Sequence, residues 1–386
     1  MQDFVFNTTP SVIFRAGAAR ELAKHASAKL GPSVLFVTDP GLRKLGLADA
    51  ALASLQDAGI KTTVYAEVEA DPSLATLEKA VEAGRAAGAT GVVGFGGGSS
   101  LDVAKLAALL IESDEDIETI WGIGNAKGPR LPLVLIPTTA GTGSEVTPIS
   151  IITVGEEEKR GISSPFNLPD IALLDPELTI GLPPAITAAT GIDAMVHAIE
   201  AYASKNANNN PLSKMLAKQA LQLLGANIET VVSDGGNIEA RGSMLLGSML
   251  AGQAFANSPV AAVHALAYPI GGTFHVPHGL SNALVLPHVL RFNAPFAGQL
   301  YTEIAADTFP HLAGNGGSQA LTAAFIDELA ALAARLGLPL RLRDVGIPES
   351  ALPKLAADAM KQQRLLVNNP RELSEADALA IYRTAW

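Results

Sequence analysis

The sequence predicts an α/β half followed by an all-helical half. Three observations carry that expectation: a chain of 386 residues, short apolar runs alternating with helical stretches up to about residue 185, and long Ala/Leu/Met stretches after it. A single core stops growing at roughly 250–300 residues, so the length alone calls for two domains. The composition suits packed helices and strands joined by tight turns, at 48% hydrophobic, 5% aromatic and 17% charged with 36 glycines.

Taken in order, the apolar runs at 34–38, 63–65, 91–95 and 132–136 each end in turn-forming residues. Strands separated by helical stretches predict a parallel sheet. The runs 92–95 and 133–136 are apolar at every position, as expected of strands covered on both faces. Asp71-Pro72 is a helix start signal, predicting a helix over 73–87. Beyond Pro184, β-branched runs become sparse, and helices are expected over 187–203, 212–224, 238–255 and 321–336. Consecutive prolines seldom sit inside a helix, so Pro183-Pro184 marks the hinge region. The short charged runs at 156–159 and 114–116 read as solvated loops.

A net charge of −11, from 38 acidic and 27 basic residues, opposes nonspecific attraction to nucleic acid or an anionic membrane. With no cysteine, disulfides, thiolate nucleophiles and Cys-ligated metal sites are excluded, so any metal must be held by histidines and carboxylates. The N-terminus lacks a basic leader before an apolar run, and no stretch of about 18 apolar residues is present; a cytoplasmic protein is the expectation.

Two glycine-rich turns carry the chemistry of the first half. In Gly94-Phe-Gly-Gly-Gly-Ser-Ser-Leu-Asp-Val-Ala-Lys105 an apolar strand runs through glycines into an amphipathic helix. Such glycines let backbone approach a pyrophosphate, and the helix N-terminus offers free N–H groups; Gly97, Gly98, Ser99 and Asp102 are the candidates here. The pattern is not the usual G-x-G-x-x-G, and a tight turn alone would also use these glycines. The second turn, 137–147, adds the hydroxyls of Thr138, Thr139, Thr142, Ser144 and Thr147, suited to phosphate, ribose or carboxamide. Asp39 ends the first strand, where a carboxylate accepts from ribose hydroxyls and repels a 2′-phosphate, favouring NAD; before Pro40 it is equally a helix cap. These residues point to an α/β N-terminal Rossmann-like dinucleotide-binding domain over 1–185.

In Gly191-Ile-Asp193-Ala-Met-Val-His197-Ala-Ile-Glu200, an Asp and a His four apart share one helix face within reach of one cation. Of the 7 histidines, His264, His275, His278 and His288 crowd together. His264 lies in an apolar stretch where an unpaired imidazole is costly, and ligation removes that cost. His278, between Pro277 and Gly279, is expected in a turn carrying its ring back toward the same helices. Buried hydrogen-bonded histidines remain the other reading. Imidazole with carboxylate suits Fe²⁺ or Zn²⁺, and the second half, 186–386, is expected to be an all-α C-terminal metal-binding domain.

Together these segments resemble the iron-containing alcohol dehydrogenases over nearly the whole chain, from Asp39 through Gly96-Gly-Gly-Ser99, 137–145, Leu174-Asp-Pro-Glu-Leu178 and Gly191–Glu200 to His264–Gly279. The resemblance implies that an N-terminal domain binds NAD(P), that a helical domain holds the metal in the cleft between them, and that Asp193, His197, His264 and His278 are the ligands. It also implies that Gly97, Gly98, Ser99, Thr138, Thr139, Thr147 and Lys159 line the dinucleotide, with Asp39 at the adenosine ribose. Many members carry a second His one turn after the third ligand; here Tyr268 stands there, so Tyr268 or His275 is the candidate proton path.

The expected activity is hydride transfer between a primary alcohol, or its aldehyde, and NAD(H). A cation at the substrate oxygen eases loss of its proton or polarises the carbonyl. Phe166, Phe255 and Val260 are candidate walls, and the resemblance implies a homodimer or larger homo-oligomer. Two alternatives are a maleylacetate reductase-like enzyme, whose His-rich segment usually differs from His275-Val-Pro-His-Gly279, and a nucleotide-binding regulatory protein, which would lack at least one ligand.

Overall fold

The computed structural model describes residues 3–155, 158–314 and 316–386; Glu156 and Glu157 of the charged run lie outside the described residues. It divides into two compact units. One comprises Asn7–Thr139 and Gly143–Ile180, the other the N-terminal residues up to Phe6, Ala140–Thr142 and Gly181–Trp386. The chain passes between them ahead of the boundary expected at residue 185, and three residues of the second glycine turn group with the helical unit.

The α/β unit holds β1 (Ser11–Phe14), β2 (Ser33–Val37), β3 (Lys61–Tyr65), β4 (Gly91–Gly96), β5 (Gly122–Ile123), β6 (Leu133–Pro137), β7 (Ile149–Val154), β8 (Glu158–Ser163) and β9 (Ile171–Leu174). Six of them form a sheet in the order β1-β9-β6-β4-β2-β3, every neighbouring pair parallel. Its strands bury both faces: Leu35, Val92 and Leu135 enter one core, while Phe36, Val93, Phe95 and Ile136 enter another. This is why β2, β4 and β6 read as unbroken apolar runs. The sequence reading did not foresee β1 and β9, each only four residues long, or the small sheet β5-β8-β7, in which β7 and β8 pair antiparallel.

Two helices matter for the turns: α1 (Leu74–Ala86), capped by Ser73 accepting from Thr76 N at 3.2 Å, and α2 (Gly98–Ser113), which begins directly after β4.

The helical unit contains α3 (Pro184–Ala203), α4 (Pro211–Ser233), α5 (Ile238–Asn257), α6 (Ala262–Phe274), α7 (His278–Thr308) and α8 (Ser318–Arg335). Pro184 occupies the first helical position of α3, where a missing N–H costs nothing. Asn210 and Ser213 form a reciprocal cap at the start of α4. The 31-residue α7 runs through Pro287 and Pro295, residues that ordinarily argue against a helix interior. Among the described residues, no helix is long and apolar enough to cross a membrane.

Candidate functional site

In the helical unit, α3 presents Asp193, His197 and Glu200 at helical spacing on one face. His264 lies in the first turn of α6, and His278 is the first residue of α7. The expected turn around His278 is therefore one step earlier: His275 takes a left-handed φ of 54° at the end of α6, and Pro277 caps α7. Gly279 makes the approach possible, because a Cβ there would sit 2.4 Å from the Ala189 carbonyl oxygen of α3. A larger residue would push the start of α7, and His278 with it, away from Asp193.

One ligand atom from each of Asp193, His197, His264 and His278 lies within 4.8 Å of all the others. His264 Nε2 and His278 Nε2 stand 4.0 and 3.7 Å from Asp193 Oδ1. The Asp193 and His264 side chains are 3% exposed, whereas His278 is 35% exposed and forms the open side of the cluster. The His197 ring stacks on Phe255 at 4.4 Å and on His264 at 4.7 Å. Burial and the neighbouring His264 hold His197 well below the usual imidazole range, which keeps it neutral with a lone pair to offer.

Contacts on the far side of two rings orient them. His197 Nδ1 lies 3.2 Å from the Gly141 carbonyl and His264 Nδ1 lies 2.7 Å from Glu200 Oε2, so each Nδ1 carries the proton and each Nε2 remains a donor atom. Asn282, fully buried on α7, places Nδ2 at 2.6 Å from Asp193 Oδ1 and at 3.3 and 3.4 Å from His278 Nε2 and His264 Nε2. Its Oδ1 is buried without a hydrogen-bond partner. Three imidazoles and one carboxylate converging on one point fit a divalent ion such as Fe²⁺ or Zn²⁺.

Tyr268 stands beside the open face, its ring 5.7 Å from that of His278, with Arg364 reaching its hydroxyl at 3.5 Å. His275 is exposed. Val260 is buried, and its carbonyl accepts from Asn368.

In the α/β unit, Gly96 takes a φ of 148°, and a side chain there would collide with Ser100. Gly97 caps α2 with nothing nearer to an added Cβ than Thr139 at 3.8 Å, so the N-terminus of a 16-residue helix is open to an anion. Gly98, Ser99 and Thr139 are partly exposed around it, while Thr138 is buried and its backbone N–H donates to the Gly96 carbonyl.

Beneath the turns runs a buried network that sequence reading did not foresee. Lys105, fully buried, donates to Ser144 Oγ at 2.7 Å, Ile149 O at 2.7 Å and Thr147 Oγ1 at 3.3 Å, with Asp102 Oδ1 at 3.4 Å. Ser144 donates to Asp102 Oδ1 at 2.6 Å, and the Asp102 Oδ2 accepts from Ile151 N. Burial pulls Lys105 down and pushes Asp102 up, and each opposes the shift in the other. Asp102 and Ser144 thus tie α2 to the second turn. Asp39 caps its helix by accepting from Leu42 N at 2.9 Å through Oδ1. Lys159 pairs with Asp71 at 2.6 Å, and Phe166 packs against the α/β core.

Glu200, Asn282 and Lys105 are the residues that sequence reading left without a role. A signal existed for two of them: Glu200 continues the Asp193/His197 stripe, and Asn282 lies one turn after His278.

The sequence matches the profile described as iron-containing alcohol dehydrogenase over residues 9–176 and that of the Fe-containing alcohol dehydrogenase family, C-terminal, over 187–386. It is 43% identical to long-chain-alcohol dehydrogenase 1 of Geobacillus thermodenitrificans over 376 residues, covering 96% of this chain and 93% of that protein. The crystal structure of a 1,3-propanediol oxidoreductase superposes with a TM-score of 0.96 at 35% identity, covering 100% of both chains. The sulfoacetaldehyde reductase of Bifidobacterium kashiwanohense, solved in complex with NAD+, superposes with a TM-score of 0.87 at 28% identity, covering 100% of this chain and 99% of that one. The chain belongs to the iron-containing alcohol dehydrogenase family.

Proposed function

We propose that Asp193, His197, His264 and His278 hold one divalent cation, Fe²⁺ or Zn²⁺, in an enzyme that moves a hydride between a primary alcohol or its aldehyde and NAD(H). One observation carries the assignment: four donor atoms from three helices converge within 4.8 Å, with Nδ1 of His197 and His264 engaged elsewhere. The bound cation supplies Lewis acidity to the substrate oxygen, and the nicotinamide supplies or accepts the hydride.

The protein's own residues bind and orient. Gly97, Gly98 and Ser99 offer an open helix start to the pyrophosphate, and Thr138, Thr139, Thr142, Thr147 and Lys159 would line the rest of the dinucleotide, Thr139 and Thr142 through partly exposed side chains and buried Thr138 and Thr147 by shaping the turn. Asp39 keeps one carboxylate oxygen in its cap, leaving the other to accept from a ribose hydroxyl. Asp102 and Ser144 hold the second turn in shape from beneath. Phe255 stacks on His197 and keeps that ring dry. Tyr268 or His275 passes the proton to solvent, Tyr268 being the one beside a ligand ring. The reading carries with it a cytoplasmic homodimer or larger homo-oligomer, for which light scattering on the purified protein is the check.

Chelation should abolish alcohol-dependent NAD reduction, and added Fe²⁺ or Zn²⁺ should restore it. Full activity in a sample verified free of metal by elemental analysis would sink the assignment.

A further inference from the structure

Glu200 is a buried carboxylate outside the ligand set. Its Oε1 accepts from Val263 N at 2.7 Å and its Oε2 from His264 Nδ1 at 2.7 Å, and its side chain is 4% exposed. We infer that Glu200 is a positioning residue that locks the His264 proton on Nδ1, aims Nε2 at the cation and supplies the second negative charge that neutralises a divalent ion. The inference rests on the four-ligand reading above.

Both partners of this carboxylate must be donors, because an ionised carboxylate only accepts. If His264 carried its proton on Nε2, the lone pair on Nδ1 would face Oε2 at hydrogen-bond distance and the metal-facing atom would be blocked. The second bond prevents Glu200 from turning away. Val263 lies in the first turn of α6, where the N–H groups have no partner within the helix, so the carboxylate that holds the imidazole also caps that turn.

Charge gives an independent argument. Among the described residues, neither Asp193 nor Glu200 forms an ion pair with a lysine or arginine. Each is buried, and a lone buried charge is costly. Together they balance one divalent cation; Asp193 alone would leave one positive charge uncompensated.

E200Q is the sharp probe, since an amide offers one acceptor where two donors must be met. Either Val263 N loses its partner or His264 is driven to the tautomer that blocks its metal-facing nitrogen. Parent and E200Q, stripped and titrated with Zn²⁺ against a chromogenic chelator, should differ in affinity by about 10–100-fold. The metal-free proteins should keep the same far-UV circular dichroism. Equal affinities would overturn the inference while leaving the four ligands standing, whereas a parent that binds no Zn²⁺ would overturn the four-ligand reading itself. Should E200Q fail to fold, ¹⁵N spectra of imidazole-labelled, Zn²⁺-loaded parent decide the matter. A proton on His264 Nδ1, assigned by its displacement in E200D, supports the lock, and a bare Nδ1 refutes it.

Discussion

Replacing Glu145 with glutamine removes a buried charge from the second glycine turn while keeping the side chain's shape. Glu145 is 1% exposed, its Oε1 has no hydrogen-bond partner, and burial pushes its carboxyl up to about 7 despite the Lys105 ammonium nearby. The interval from the ordinary 4.5 to about 7 corresponds to about 3 kcal/mol at ~1.4 kcal/mol per pH unit. The folded protein holds this proton more tightly than the unfolded chain. Its stabilising contribution is therefore complete below pH 4.5, falls as pH rises toward 7, and is gone above it. E145Q has no proton to lose there. At 2–4 °C per kcal/mol for a unit of this size, the variant should gain up to about 6–12 °C in melting temperature over the parent at pH 8, and far less at pH 5. Differential scanning fluorimetry of both proteins across that range measures the difference. A gap that stays constant with pH, or widens toward pH 5, would refute the buried-proton argument.

Three other perturbations bear on the two sites. His264→Ala should lose bound metal and turnover together, read by elemental analysis beside NAD reduction; metal retained at full stoichiometry would remove His264 from the ligand set. Asp39→Gly should relax the preference for NAD over NADP in a competition assay and, through the weakened cap, lower stability by a few tenths of a kcal/mol. A parent that already prefers NADP would overturn the ribose argument. Lys105→Met strips the cation from buried Asp102 and should cost about 3–5 kcal/mol of stability while raising the KM for NAD more than it changes kcat. An unchanged melting temperature would show that the buried pair does not hold the turn.

The parts of the fold that were legible in the sequence are those with a local signal. β2, β4 and β6 were readable because strands buried on both faces leave no polar residue inside the run, and α3 was readable from the apolar residues that fill it, although Pro184, read as part of a hinge, is its first residue. α7 was not, since Pro287 and Pro295 interrupt its pattern with residues that usually end helices. The β7/β8 hairpin escaped for another reason: its second strand, Glu158–Ser163, opens on charged residues, so Glu158 and Lys159 read as part of a solvated loop although they pair in the small sheet.

The candidate site divides along the same physical line. Asp193 and His197 announce themselves because helical periodicity makes a spacing of four into a shared face, whatever the rest of the chain does. Glu200 continues that face but takes its meaning from His264, 64 residues away, and nothing in the spacing of two distant residues says that one will aim the other. Lys105 is harder still: a lysine in a helix after a glycine turn reads as solvated, and only the return of Ser144, Thr147 and Ile149 over it turns that charge inward. Residues that touch a ligand are chosen for their chemistry and keep recognisable types. The residues that orient them are chosen by the packing of the folded chain, so their roles become visible only in three dimensions.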